Sequence, residues 1–112
     1  MIKRIVKMSF QPEKVEDFKA IFKTNWKFIA GFEGCSHVEL LQDKLHSNIF
    51  FTYSIWENEE YLNAYRDSEL FEKVWGSTKI LFNDKPQAWS VDELKFLGRL
   101  CNKFFPKADC VL

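Results

Sequence analysis

The chain has 112 residues, enough for one domain with a core of limited reserve. Sixteen basic residues balance sixteen acidic ones, so the chain lacks the positive excess that a nucleic-acid surface needs. No apolar run approaches a membrane span, and the basic N-terminal stretch around Lys3, Arg4 and Lys7 lacks the apolar centre of a signal peptide.

The cysteines, Cys35, Cys101 and Cys110, are odd in number and fit neither a zinc nor a redox spacing. A reduced, cytoplasmic setting with no metal is therefore expected. Aromatics make up 17% of the residues, a load that can supply a pocket wall or a subunit interface as well as a core.

Residues 2–10 read as a strand. Ile5 alternates with Lys3 and Lys7, while Val6, Met8 and Phe10 share the other parity, so both faces are apolar and the strand is covered. Pro12 ends it and suits a first helical turn. Residues 13–29 are helical: Val15, Phe18, Phe22, Trp26 and Ile29 form one stripe, with acids early and lysines late. Gly31 stops this helix and Gly34 opens the next element.

Residues 35–41 alternate as a second strand, with Cys35, His37, Glu39 and Leu41 on one face and Ser36, Val38 and Leu40 on the other. A turn follows, and residues 49–56 form its antiparallel partner. Asn58 caps a helix that carries Tyr61, Leu62, Tyr65, Leu70, Phe71, Val74 and Trp75, with a slight break at Asp67-Ser68. Residues 87–91 are a short fourth strand. Asp92 caps a last helix from Glu93, with Leu94, Leu97, Leu100, Cys101 and Phe104 as its stripe; Gly98 weakens it by about 1 kcal/mol relative to Ala, and Pro106 ends it.

The order strand, helix, strand, strand, helix, strand is the split βαβ, ferredoxin-like order, an α+β fold with a four-stranded antiparallel sheet over residues 1–92 and a helical tail over 93–112. Helices on one side leave the second sheet face bare. Apolar residues on both parities require that face to be covered, most simply by a second copy in a homodimer, with Trp89 on the shared surface.

Several side chains are candidates for chemistry. His37 can act as a base toward a phenol, or be a structural histidine; Glu39, about 7 Å along the strand, is near enough to pair. Tyr53 and Tyr65 can bind a phenolic ligand or steer an oxyanion, or fill core and interface. Trp26, Trp56, Phe71 and Trp75 can line an aromatic pocket, or simply be core. Arg66 can hold an acidic ligand, or pair with Asp67 and Glu69. Cys35 is a nucleophile only with a base at hand and otherwise a buried thiol, and His46 sits in a surface turn. No GxGxxG, P-loop or HExxH occurs, so no nucleotide, flavin or metal motif is present.

The chain resembles the antibiotic biosynthesis monooxygenase-like family, of the dimeric α+β barrel group. The resemblance rests on Arg4-Ile5-Val6-Lys7-Met8, on Gly34-Cys35, on the run from Phe51 through Trp56, and above all on Trp56-Glu57-Asn58-Glu59-Glu60, Tyr65-Arg66-Asp67-Ser68 and Leu70-Phe71. It covers residues 1–92 and implies a homodimer with sheets face to face, each subunit holding its own pocket between sheet and helices.

The family's quinone-forming members imply a cofactor-independent monooxygenase acting on a small aromatic or phenolic substrate. The alternative is a homodimer that binds a small ligand without turnover. Haem-degrading relatives place an Asn on the first strand, a Trp near Tyr65 and a haem-ligating His where Trp75 stands. Residues 1–10 have no Asn and indole cannot ligate iron like imidazole, so haem chemistry is disfavoured.

Overall fold

The computed structural model describes residues 1–94. Alternating apolar residues make β1 (Ile2–Ser9), which leads through a 3-10 turn at Pro12–Lys14 into α1 (Val15–Ala30). Then follow β2 (Cys35–Gln42), β3 (Ile49–Trp56), α2 (Glu59–Arg66), α3 (Glu69–Lys79) and β4 (Gln87–Asp92). The expected tail helix lies outside the described residues, apart from Glu93 and Leu94.

The four strands form one antiparallel sheet in the order β2-β3-β1-β4. The central place of β1 explains its two apolar faces. Helices cover one sheet face, and the split βαβ reading holds. The barrel reading does not. β2 and β4 each pair on one side only, so the sheet is open and keeps both edges. Closing a barrel requires its edge strands to pair.

The core gathers at one end of the sandwich. Phe10 is fully buried, stacked on Phe18 at 4.1 Å and edge-on to Phe50 at 5.9 Å, with Met8 and Leu81 packed around them. On α1 the inward line is Phe18, Phe22, Asn25 and Ile29. Trp26 departs from the expected stripe and is 39% exposed. At 100° per residue it stands about 80° from Phe18, whereas Asn25 falls nearly in line. Burial of Asn25 is tolerated because its Nδ2 donates to the Ile21 carbonyl at 2.8 Å.

The second helical stretch is two helices. Asn58 caps α2 by accepting from the Tyr61 N–H, and Ser68 caps α3 by accepting from the Phe71 N–H. A bulge in β2 also corrects the sequence reading. Cys35 pairs with Trp56 and His37 with Ile55, so Ser36 is the extra residue and the parity flips there. Cys35 thus lies on the helix side and His37 on the bare side.

Candidate functional site

Below the Phe10 core, the sheet and helices separate around a cavity of about 370 Å³. Its walls are Trp56, Tyr65, Phe71 and Trp75, with Val6, Met8, Val38 and Leu62 adding apolar surface. A larger hollow of about 670 Å³ outside α1 and α2, lined by Phe28, Phe32, Glu33, Glu60 and Tyr61 among others, is a shallow surface depression more open to solvent than the cavity.

The aromatic walls are continuous. Tyr65 stacks on Trp56 at 5.0 Å and meets Phe71 edge-on at 5.3 Å. Phe71 stacks on Trp75 at 5.9 Å, and Trp75 meets Phe82 edge-on at 5.5 Å. The bend between α2 and α3 makes this possible. Ser68 donates to the Tyr65 carbonyl at 2.6 Å while accepting from Phe71, which ties the two helices at the point where both aromatics turn inward.

The polar groups lie mostly on the sheet. Arg4, Thr52 and Ser54 face the cavity from β1 and β3, Thr78 closes it from α3, and Arg66 reaches it from the last turn of α2. Arg4 Nη1 donates to Ser90 Oγ at 3.0 Å, and Trp56 Nε1 donates to Ser54 Oγ at 3.0 Å. Burial, with a smaller contribution from Arg66, makes the Arg4 guanidinium less basic than usual. Burial also pushes the Tyr65 hydroxyl up to about 12, with nearby Cys35 adding to the effect. Tyr65 therefore stays protonated at neutral pH and acts as a hydrogen-bond donor, not a base.

Of the residues expected at the site, Tyr65, Trp56, Phe71 and Trp75 line the cavity together. His37, Tyr53 and Trp26 do not. His37 and Tyr53 stand on the bare sheet face, ring centroids 5.9 Å apart, with Lys3 Nζ over the Tyr53 ring at 5.9 Å. The side chain of His37 is 45% exposed, and its Nε2 lies 3.6 Å from Glu39 Oε1. The expected base is thus separated from the cavity by the sheet.

Burial raises the Cys35 thiol above its usual range, and its Sγ points at the His37 carbonyl at 3.5 Å, an arrangement for an inert thiol. Sequence reasoning missed Arg4. Its signal was present: a charge on the parity of Val6, Met8 and Phe10, inside a strand with covered faces.

Residues 1–75 match the family model described as antibiotic biosynthesis monooxygenase. Among solved structures, the fold is similar to a conserved protein from Methanosarcina mazei Go1 at 19% identity and a TM-score of 0.79, covering 83% of this chain and 92% of that one. It is also similar to one called antibiotic biosynthesis monooxygenase, at 15% identity and a TM-score of 0.80, covering 84% and 99%. A protein of Pseudomonas aeruginosa aligns at 17% identity and a TM-score of 0.74, covering 83% and 93%. At these identities the structural likeness speaks for the fold alone. No curated protein matches the sequence.

Proposed function

The chain belongs to the antibiotic biosynthesis monooxygenase family, and on that premise we propose that it oxidises a small phenolic aromatic with molecular oxygen and no cofactor. Family membership carries an oxidative or ligand-binding role in general terms. The observation that supports the finer reading is the cavity itself: four aromatic walls around a few placed polar groups.

In this reading the ring lies among Trp56, Tyr65, Phe71 and Trp75. The Tyr65 hydroxyl donates to the substrate oxygen and stabilises its phenolate form. The phenolic proton leaves to solvent through the open side. The electron-rich ring passes one electron to oxygen, and the resulting pair combines on the ring carbon. The peroxide takes a proton back from solvent; the ring carbon then loses its own hydrogen as the O–O bond breaks, so that one oxygen atom stays as a carbonyl and the other departs as water. The apolar walls keep water from the intermediates.

A second reading, binding without turnover, is favoured by one observation: no His, Asp or Glu lines the cavity. Oxygen uptake with a panel of naphthols and anthrones separates the two. Uptake that drops by roughly tenfold or more in Tyr65→Phe supports oxidation. Tight binding with no uptake for any member leaves only the binding reading.

Assembly follows from the bare sheet face. Ile5, Phe51, Tyr53 and Ile55 are half-buried there, and Leu41, Trp89 and Val91 are exposed. An apolar face of this kind suits contact with a second copy of the chain.

A further inference from the structure

The cavity has an electrostatic feature that its aromatic walls do not explain. Arg4 sits on the central strand, on the parity that faces the helices, where a charge is costly unless paired. Its observed partner is a neutral hydroxyl, that of Ser90 at 3.0 Å. Arg66 enters the same cavity from α2. Its neighbours in sequence, Asp67 and Glu69, are the obvious partners, yet among the described residues neither arginine forms an ion pair with a carboxylate. No acid lines the cavity either.

Two guanidiniums therefore line one partly apolar space, Arg4 from the sheet and Arg66 from the exposed end of α2. Their repulsion is stronger there than in water. An anion between them would remove the repulsion and accept from both planar forks. Strand register adds to the fit: Arg4 lies opposite Ser54 on β3 and Ser90 on β4, so hydroxyls flank the guanidinium on both sides.

We propose that the cavity selects an aromatic molecule carrying an anionic group, a carboxylate first of all, held between Arg4 and Arg66 with the ring against Trp56 and Tyr65. The proposal rests on the reading of this cavity as the aromatic-ligand site. It assigns to the two arginines the selection of the ligand, whether or not the ligand is then oxidised.

Calorimetric titration of the full chain with 2-naphthoate and with its neutral counterpart 2-naphthamide tests it. The carboxylate is expected to bind at least about tenfold more tightly, and Arg66→Gln to erase most of that advantage while leaving the amide unchanged. Added salt should weaken naphthoate binding only. Arg4→Gln is the second variant, with its unfolding midpoint recorded. If it fails to fold, Arg66→Gln decides, since that side chain stands at the exposed end of α2. Equal affinity for the two ligands, or equal weakening of both by Arg66→Gln, overturns the anionic anchor and leaves the aromatic site standing. Binding of neither ligand overturns both.

Discussion

Tyr65 is the residue where packing and chemistry meet. It stacks on Trp56, touches Phe32 and Phe71 edge-on, and lines the cavity. Burial raises its pKa from the usual 10.0 to about 12. The unfolded chain ionises this phenol near the usual value, but the folded chain resists until well above it. Folding therefore keeps the benefit of a neutral Tyr65 below about pH 10 and loses it as pH rises toward 12.

Wild type should lose roughly 2 kcal/mol more stability than Tyr65→Phe across that interval, read from urea unfolding at stepped pH. Equal losses would mean the hydroxyl is solvated. Gly34 offers a second test. Among the described residues it alone has a positive φ, 86°, and a Cβ there would run into the Tyr61 side chain. Gly34→Ala should cost more than about 2 kcal/mol, from the left-handed backbone and the clash together. At this scale the sequence was partly legible. Tyr65, Phe71 and Trp75 were found by helical spacing. Trp26 was misplaced because a large apolar residue one step off the stripe looked like part of it, while the buried Asn25 looked polar.

Elements were read more reliably than single side chains, because period and capping residues are local. Asn58 and Ser68 both cap as their chemistry suggests. The bulge at Ser36 was not legible. One extra residue leaves alternation intact on either side of it and only reverses its sense, so Cys35 and His37 read as neighbours on one face. That reversal parts His37 from Cys35, while Tyr53 is parted from Trp56 by the plain alternation of β3.

The bend between α2 and α3 invites a test of how an element sets a cavity. Ser68→Ala removes the cap on α3 and the bond to the Tyr65 carbonyl. It should lower stability by about 1 kcal/mol. It should also weaken aromatic ligand binding, since Tyr65 and Phe71 lose their common tether. Stability loss with unchanged binding would show that stacking alone sets the cavity walls.

For the whole molecule, the physical fact is one sheet with two unlike faces. Helices and the cavity occupy one; the other carries Ile5, Phe51, Tyr53, Ile55 and Trp89 by strand register. The sequence showed that both faces are apolar, but not that the sheet stays open, since edge pairing depends on what lies beyond a chain's own periodicity. Trp89 is 44% exposed and lies opposite Ile5 at the middle of the β1–β4 pair. A Trp so placed gains most of its burial energy only if another surface covers it.

Placing Asp there would bury a charge in any such contact while leaving the helix face untouched. Trp89→Asp should therefore sediment as a monomer at micromolar concentration where wild type sediments as a dimer, and Leu41→Asp on the far edge should weaken the dimer in the same direction. Both variants should still bind an aromatic ligand, because the cavity opens on the opposite side of the sheet. A wild-type monomer at that concentration would remove the bare face as an interface. A monomeric Trp89→Asp that folds but no longer binds would mean the two faces communicate through β1, the strand that carries both Ile5 and Arg4.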